Sequence, residues 1–574
     1  MTTRARTEER SGGGADWPPA NRAVLIGLTV VGLALRAISL NARGFWLDEV
    51  ITVTQARQSL RDIFVSLAVG GGVHPPLYHV LVHFWMALFG QGEVAVRAFS
   101  VVFGTASIPV AYWAAKRIYD KRTGIIAAGL VALSPYLIWY SQEARMYILM
   151  WFASLLSIAF LVLAVDENRA RWWLGYLAAT IAGLFTHYLY VFLLAGQIAF
   201  YVFAVLIRQE RERRRQGAAS FRTLRPWGLF TDVPTLAPWF ACMIAAGTLD
   251  VIWLASSIFA QQNPLLSAAE GSGLGYGLPP ARLAFRFNDL AAVFVQMIAG
   301  FHSQSTMDLL VASWPVLIFV FFLLIHLVKP VTWRTWVLLA SASGVVVLML
   351  LGQWQEQILV SRYFIAVAAP LLLLVSRLMA KLRRHAVMGL AAALVAVSAV
   401  AWADQSYDPQ QLMRYDYREA FGTITEDWRP GDVVLYVPWY LDSLADYYLP
   451  SRIPAYGMPM LDAAGNPRNQ PRQVGQDLDR VVGAAPRVWL LLSYQDLPRV
   501  AEDGDTVRLW LAGHGYTVAM YEPMSRVLLT RYDGGEGRRR FFVFPRQQPT
   551  LSRSAEPGSR FAQWTGDTGM GPRR

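Results

Sequence analysis

The stretch Met146–Val165, MYILMWFASLLSIAFLVLAV, is 20 residues long and contains no charged side chain. A helix of this length rises about 30 Å, which is the thickness of the hydrocarbon core of a bilayer. Ten other apolar runs of similar length occur along the 574-residue chain. The recurring runs predict a polytopic α-helical membrane protein.

The composition agrees with that prediction. Hydrophobic residues make up 55% and charged residues 16% of the sequence, whereas a typical soluble protein has about 25% charged residues. The net charge of +12 comes from basic residues that cluster between the apolar runs, which indicates topology signals rather than nucleic-acid binding. The single cysteine, Cys242, excludes a disulfide within the chain and a metal site built of several cysteines.

The basic loops predict the orientation, because positive residues favour the cytoplasmic side. They place the N-terminus inside and the C-terminal region outside the cytoplasmic (inner) membrane. The segment Leu283–Gly300 is left unassigned: as a membrane-surface or re-entrant helix it keeps Lys329 inside, whereas as a span it would put Lys329 outside. About eleven spans are predicted: Ala23–Leu40, Val96–Ala115, Gly124–Tyr140, Met146–Val165, Leu174–Tyr190, Val191–Ile207, Leu236–Ile258, Leu310–Val328, Trp336–Gly352, Tyr363–Ala380 and Ala386–Trp402.

Four regions are predicted along the chain. They are a disordered cytoplasmic N-terminus at 1–20, a membrane domain at 21–403, a small extracytoplasmic α/β domain at 404–546 and a disordered tail at 547–574. The first outer loop, Asn41–Glu93, has amphipathic pieces that favour helices in the membrane interface. The α/β domain is predicted from short apolar strands and intervening helices: strands Val433–Val437, Val488–Leu492 and Ser525–Thr530, and helices Tyr417–Asp427 and Val507–Ala512.

The predicted outer loops hold an unusual set of polar residues. Asp48 and Glu49 stand just beyond the first span, where a carboxylate is costly to desolvate and marks a functional candidate. Arginines are disfavoured on this side, so Arg145 and Arg362 favour an anionic ligand such as a phosphate. The remaining candidates in these loops are His74, Glu143, His187, Tyr188 and Tyr363.

Several short motifs in these loops resemble the GT-C glycosyltransferases. The similarity is to the bacterial branch related to protein O-mannosyltransferases (dolichyl-phosphate-mannose-protein mannosyltransferases) and aminoarabinose transferases. It is dense over residues 23–205, thinner to about 400, and only architectural beyond. The matching residues are Phe45–Glu49, His74–Tyr78, Leu88–Gly90 with Glu93 and Arg97, Ser134–Pro135, Tyr140–Tyr147, Thr186–Tyr188 and Arg362–Tyr363.

This resemblance implies the GT-C fold and an enzyme that takes a sugar from a polyprenyl phosphate on the outer side of the membrane. The family mechanism is a single inverting displacement, and its first-loop aspartate, the general base, maps onto Asp48. The chemistry is consistent, because a lipid phosphate leaves as a stable anion and one base suffices to take the acceptor proton. Arg145, Arg362 and His74 are expected to stabilise that anion. Relatives often carry lysine in place of His74, which leaves the charge of His74 open.

Other roles for these residues stay open at this stage. Glu49 either orients Asp48 or is simply solvated, and His74 either binds phosphate or only fixes a loop. Glu143 and Arg145 either bind substrate or form a structural ion pair. His187 and Tyr188 also fit the aromatic belt of the membrane interface, and Arg362 fits a snorkelling arginine. Asp48, Glu49 and Glu143 are candidate ligands for a divalent cation, although a metal-free site based on arginine is equally compatible.

The sequence therefore predicts an integral membrane glycosyltransferase that moves one sugar to an envelope glycan, lipid or protein. Its expected partners are a polyprenyl-phosphate-linked sugar, that acceptor and the lipid bilayer, with no nucleic acid. The alternative from another class is a transporter or flippase of lipid-linked sugars. Transporters tend to show internal repeats and charged or broken helices at mid-membrane, and the sequence shows no repeated half.

Overall fold

A computed structural model describes residues 19–69, 74–215, 235–262, 296–297, 300, 332–352, 361–407, 415–462, 467–468, 470–483, 485–495 and 497–534. The chain forms two compact units. Unit 1 is Met1–Asn41, Gln55–Asn263 and Pro279–Asp408, and unit 2 is Ala42–Thr54, Pro264–Leu278 and Pro409–Arg574. The segment that carries Asp48 and Glu49 therefore folds with the C-terminal region.

Helices make up the described part of the chain up to residue 407. Their bounds are α1 Pro19–Ala37, α2 Leu47–Arg57, α3 Leu60–Val69, α4 Leu77–Phe89, α5 Glu93–Ile118, α6 Lys121–Leu133, α7 Pro135–Ser141, α8 Tyr147–Glu167, α9 Ala170–Leu184, α10 Tyr190–Arg215, α11 Leu236–Gln262, α12 Trp333–Gly352, α13 Ile365–Met379 and α14 Arg384–Tyr407.

Long apolar helices give this chain a multi-pass membrane architecture. Within the described residues, four helical stretches are long and apolar enough to cross a bilayer: Glu93–Ile118, Tyr147–Glu167, Leu236–Phe259 and Arg384–Ala401. The bent pair α6 and α7 makes a fifth if it counts as one span. The predicted number of eleven is not confirmed. The predicted span Leu310–Val328, nearly all of Leu283–Gly300 and the regions 1–18 and 535–574 lie outside the described residues.

The predicted single span Gly124–Tyr140 is broken in the structure. The axes of α6 and α7 differ by 58°, and the break falls at Ser134, directly before Pro135. A proline ring disfavours the helical conformation of the residue before it, so the first helix ends there. The hydroxyl of Ser134 then accepts the backbone N–H of Leu137 at 3.3 Å and caps the second helix.

Arg36 ties α1 to this break. It is fully buried, and its guanidinium donates to the carbonyls of Val131 (2.8 Å) and Ala132 (3.2 Å) at the end of α6. Its Nε donates to the Ser141 hydroxyl at 3.1 Å. A cation is favourable at the carboxyl end of a helix, where backbone carbonyls lack helical partners. Gly104 makes the space for this contact, since a Cβ there would lie 2.1 Å from the Ser141 hydroxyl.

Unit 2 contains a five-stranded sheet in the order β2-β1-β3-β5-β4. β2, β1 and β3 are parallel, β5 runs antiparallel to β3, and β4 runs antiparallel to β5. The strands are β1 Val433–Val437, β2 Ala455–Gly457, β3 Arg487–Ser493, β4 Tyr516–Met524 and β5 Val527–Gly534, and the helices are α15 Tyr417–Asp427, α16 Asp442–Tyr448, α17 Pro471–Val482 and α18 Pro498–Gly513. The sheet confirms the predicted C-terminal α/β region.

The centre of this sheet is apolar on both faces. Every residue of β1 and β3 is buried, as expected for parallel strands that helices cover. Side chains of α17 and α18, including Leu478 and Val507, pack against these strands. At the start of β3, Arg487 donates to the buried carboxylate of Asp432, the residue just before β1, at 2.6 Å. Burial raises the pKa of Asp432, but hydrogen bonds from Arg487, the Arg429 backbone and Trp489 outweigh that effect and lower it.

Candidate active site

Asp48 and Glu49 lie in the first turn of α2. Glu49 is buried, with 1% of its surface exposed, and its Oε2 accepts the backbone N–H of Trp46 at 3.3 Å. Carboxylates are favourable here because the first N–H groups of a helix lack helical partners. Asp48 is less buried than Glu49. The geometry therefore makes Glu49 a cap that fixes the start of the helix, which excludes the alternative of a simply solvated side chain.

The residues before Asp48 are held by the C-terminal part of the same unit. The backbone N–H of Phe45 donates to the hydroxyl of Tyr448 at 2.6 Å. The Phe45 ring is fully buried and meets the ring of Tyr447 edge-on at 5.4 Å. A Cβ on Gly44 would lie 2.7 Å from the Cβ of Arg418, so glycine is required for this approach. The position of Asp48 thus depends on α15 and α16.

In unit 1, Arg145 and His74 form a direct contact. The Nη2 of Arg145 lies 3.0 Å from the Nε2 of His74. Because arginine has only donors, Nε2 is the acceptor, and the neutral ring carries its proton on Nδ1. Burial lowers the pKa of His74 well below its usual value, and Arg145 lowers it further. The structure therefore assigns a neutral His74, whose buried Nδ1 has no hydrogen-bond partner among the described residues.

His187 lies beside this pair. Its ring is 5.2 Å from that of His74 and 6.1 Å from that of Tyr147. Its Nδ1 accepts the backbone N–H of Leu189 at 3.1 Å, which places the proton of the neutral ring on Nε2. Burial lowers the pKa of His187 to about 3, and Arg145 and Arg362 contribute. His187 is 4% exposed, so it does not fit the predicted surface anchor.

Tyr188 fits an anchoring role better than its neighbour. Its hydroxyl accepts the indole N–H of Trp253 at 2.9 Å. The ring packs on the apolar cluster that contains Ile63, Leu67 and Trp253. These contacts join the loop after α9 to α3 and α11 and leave Tyr188 with a packing function in the described residues.

Arg362 belongs to the same electrostatic group as the two histidines. It lies in the short 3-10 turn Ser361–Phe364, immediately before α13. Its charge lowers the pKa of both His74 and His187. Glu143 is also buried in the turn before α8. The side chain of Tyr363 lies outside the described part of the structure.

The turn that carries Glu143 and Arg145 is held by hydrogen bonds whose donors the sequence analysis placed in motifs without a role. Gln142 donates from Nε2 to three carbonyls at the end of α1, those of Leu35 (3.2 Å), Arg36 (3.2 Å) and Ile38 (2.8 Å). Arg97 donates to the carbonyl of Leu40, two residues beyond Ile38, at 3.0 Å. A charged residue within an apolar run is itself a signal, and Arg36 in the first predicted span provides one.

The structure thus brings four candidates together in unit 1: His74, Arg145, His187 and Arg362. Two are cationic guanidinium groups and two are neutral imidazoles, each with one N–H. Asp48 and Glu49 are side by side in unit 2. Within the described residues, no group of three or more His, Cys, Asp or Glu side chains is arranged to hold a metal. These residues therefore give no support to a cation bound jointly by Asp48, Glu49 and Glu143.

The comparison with protein families agrees with the motifs. Residues 73–216 match the profile of the dolichyl-phosphate-mannose-protein mannosyltransferase family. That segment includes His74, Glu143, Arg145, His187 and Tyr188. No curated protein sequence matches the chain.

Solved structures share the fold at low sequence identity. ArnT from Cupriavidus metallidurans in the apo state is 13% identical with a TM-score of 0.54, over 89% of this chain and 98% of that one. The same protein bound to undecaprenyl phosphate gives 14% and 0.53, over 88% and 97%. The Archaeoglobus fulgidus oligosaccharyltransferase in the apo form gives 13% and 0.51, over 90% and 74%. The resemblance to GT-C glycosyltransferases is confirmed.

Proposed function

We propose that this chain is a membrane glycosyltransferase of the GT-C type that takes a sugar from a polyprenyl-phosphate-linked donor. The acceptor is an envelope glycan, lipid or protein, and the reaction occurs on the outer side of the cytoplasmic membrane. The observation that carries the proposal is the group of His74, Arg145, His187 and Arg362, in which Arg145 and His187 are buried and which combines two positive charges with two neutral imidazole donors.

This group suits the phosphate of the donor. Guanidinium groups form strong charge-assisted hydrogen bonds with phosphate oxygens. The Nδ1–H group of His74 and the Nε2–H group of His187 can each donate a further hydrogen bond to a phosphate oxygen. Donors that are already in place stabilise charge as it develops on the leaving group. ArnT, which shares this fold, has been crystallised with undecaprenyl phosphate, and this supports a polyprenyl phosphate as the ligand here.

Asp48 is proposed as the general base. It takes the proton of the acceptor hydroxyl while the oxygen forms a bond to the anomeric carbon. The bond between that carbon and the phosphate oxygen breaks in the same step, and the polyprenyl phosphate leaves as an anion with inversion at the sugar. No second carboxylic acid is needed, because phosphate is a stable leaving group. Glu49, buried and hydrogen-bonded to the backbone, keeps the start of α2 in place.

The central test is sugar transfer by the full-length chain with and without the Asp48 carboxylate. Membranes that contain either wild type or Asp48→Asn are supplied with radiolabelled polyprenyl-phosphate hexoses and pentoses. We expect Asp48→Asn to lower transfer by at least about a hundredfold, the scale of a general base. Asp62→Asn is the matched control, since Asp62 is an exposed aspartate in the first turn of α3, and it should transfer at the wild-type rate.

Two outcomes would contradict the proposal. Equal transfer by wild type and Asp48→Asn would remove Asp48 as the base. Movement of a fluorescent lipid-linked sugar from one leaflet of a proteoliposome membrane to the other, without transfer to any acceptor, would favour the flippase instead.

A further inference from the structure

Unit 2 contains a cluster of tyrosines near the carboxyl ends of β1 and β3. It is here called the tyrosine cluster and consists of Tyr415, Tyr417, Tyr440 and Tyr494. The rings of Tyr415 and Tyr417 stack with their centroids 5.4 Å apart. Tyr494 lies 5.3 Å from Tyr415 and 5.9 Å from Tyr440, measured between ring centroids. These contacts join residues from three separate parts of the chain into one aromatic surface.

The sheet topology places this cluster where α/β folds bind ligands. β1 connects to β2 on one side, and the chain then returns to β3 on the other side of β1. In open α/β sheets, ligands bind outside the carboxyl ends of strands at such a switch point. Tyr440 follows the end of β1, and Tyr494 directly follows the end of β3.

The inner members of the cluster hold the outer ones in place. The Tyr417 ring is fully buried, and its hydroxyl lies 2.8 Å from that of Ser493 at the end of β3. Arg526 donates to the Tyr415 hydroxyl at 3.2 Å. Tyr440 and Tyr494 remain partly exposed. The rings of Tyr440 and Tyr494 can therefore contact a ligand with little further loss of side-chain entropy, because the cluster is already ordered.

Asp48, the proposed base, belongs to the same unit, and Phe45 just before it contacts Tyr447 and Tyr448 of α16, the helix that follows Tyr440 along the chain. Burial raises the pKa of Tyr494 well above its usual value, and the charges of Tyr417, Tyr415, Asp48 and Tyr440 add to the effect. The Asp48 carboxylate is thus within electrostatic range of the Tyr494 hydroxyl. A hydroxyl-bearing molecule bound at Tyr440 and Tyr494 would therefore lie in the same unit as the group proposed to take its proton, within reach of its charge.

We infer that the tyrosine cluster is the acceptor subsite and that the acceptor it binds is the end of a carbohydrate chain. This inference rests on the proposed function. Tyrosine offers an apolar ring face for the C–H side of a sugar and a hydroxyl for its polar edge. A lipid chain would match the ring faces but not the hydroxyls. An extended peptide would be expected on an edge strand rather than at the strand ends.

The experiment uses the full-length protein in nanodiscs with radiolabelled polyprenyl-phosphate sugar and three acceptor fractions from the source organism. The fractions are glycans released from the envelope, extracted lipids and envelope peptides. Wild type should label the glycan fraction. Tyr440→Ala and Tyr494→Ala should raise the KM for that fraction at least about tenfold and leave the KM for the donor unchanged. Tyr521→Ala, which changes a partly exposed tyrosine on β4 of the same unit, should change neither KM.

Backbone hydrogen exchange of the wild-type protein tests acceptor binding independently of sugar transfer, because no sugar donor is added. The glycan fraction should slow exchange of the backbone around 438–441 and 494–495, and the lipid and peptide fractions should not. The inference is wrong if label enters only lipid or peptide, or if both variants keep the wild-type KM for glycan. In those cases the proposed function survives, because sugar is still transferred. Failure of wild type to transfer sugar to any fraction would contradict the proposed function itself.

Discussion

At the scale of single residues, the two histidines of unit 1 owe their protonation state to their neighbours. Arg145 donates to Nε2 of His74, and a backbone N–H donates to Nδ1 of His187. Neither nitrogen can accept a proton without losing that bond. The sequence placed both residues in outer loops but could not assign their charge, because that depends on which atoms meet in the folded chain.

The buried His187 predicts a stability that depends on pH. The pKa of His187 is lowered to about 3 by burial, against about 6.5 for an unfolded chain. Between these values the unfolded state binds a proton that the folded state does not, so stability is full above pH 6.5 and falls as the pH is lowered towards 3. At pH 5 the loss from this group is about 2 kcal/mol.

This prediction is checked by unfolding the detergent-solubilised protein at pH 8 and pH 5. In His187→Asn, whose amide oxygen can still accept the Leu189 N–H, the loss of unfolding free energy between the two pH values should shrink by about 2 kcal/mol. His385→Asn, at an exposed histidine of α14, should lose as much as wild type. An unchanged loss in His187→Asn would contradict the buried, neutral assignment.

At the scale of elements, the sequence predicted regular pieces well and their junctions poorly. The helix Tyr417–Asp427 and the strand Val433–Val437 have the predicted bounds, because their apolar periodicity is strong and local. β4 was missed, since a half-exposed strand gives no continuous apolar run. The 58° bend at Ser134 was missed because the apolar run continues through it, and only Arg36 and Pro135 reveal it.

Removal of the Arg36 guanidinium is predicted to lower the unfolding free energy, because this group supports the bend at Ser134. In Arg36→Met the carbonyls of Val131 and Ala132 and the Ser141 hydroxyl lose their donor in a buried environment. We expect a loss of about 2–4 kcal/mol in unfolding free energy, from about 1–3 kcal/mol for each buried polar group left unsatisfied. Sugar transfer should fall as well, because Ser141 leads directly into the turn that carries Arg145.

The matched control is Arg22→Met, at an exposed arginine of the same helix, which should unfold like wild type. Denaturant unfolding and transfer assays on the two variants provide the comparison. Equal stability of Arg36→Met and Arg22→Met would show that the guanidinium contributes nothing to the bend.

At the scale of the whole molecule, the first loop and the C-terminal region form one folding unit. Ala42–Thr54 is grouped with Pro409–Arg574, and the Phe45–Tyr448 hydrogen bond joins residues 403 positions apart. The sequence predicted both segments on the outer side of the membrane, but no periodicity or motif shows that distant segments share a core. Tertiary contacts of this kind are not encoded locally.

The Tyr448 hydroxyl is therefore predicted to matter for catalysis through position alone. In Tyr448→Phe the Phe45 N–H loses its acceptor, and the segment leading to Asp48 becomes less well fixed. A misplacement of about 1 Å can cost up to a hundredfold in rate, so we expect kcat for transfer to fall about tenfold with the donor KM unchanged. Tyr447→Phe should keep the wild-type kcat, because its contact with Phe45 is through the ring.

Steady-state transfer kinetics of the two variants test this expectation. A rise in the donor KM of Tyr448→Phe, with kcat retained, would contradict a positioning role.

The distance along the chain between Phe45 and Tyr448 has a consequence for biosynthesis. A ribosome that adds about 5–20 residues per second needs about 20–80 s to travel the 403 positions between them. Throughout that time Tyr448 has not been synthesised, so the backbone N–H of Phe45 cannot form its hydrogen bond to the Tyr448 hydroxyl. The segment that carries Asp48 can therefore reach its final position only after the ribosome has made α16, long after the first helices of the chain have been synthesised.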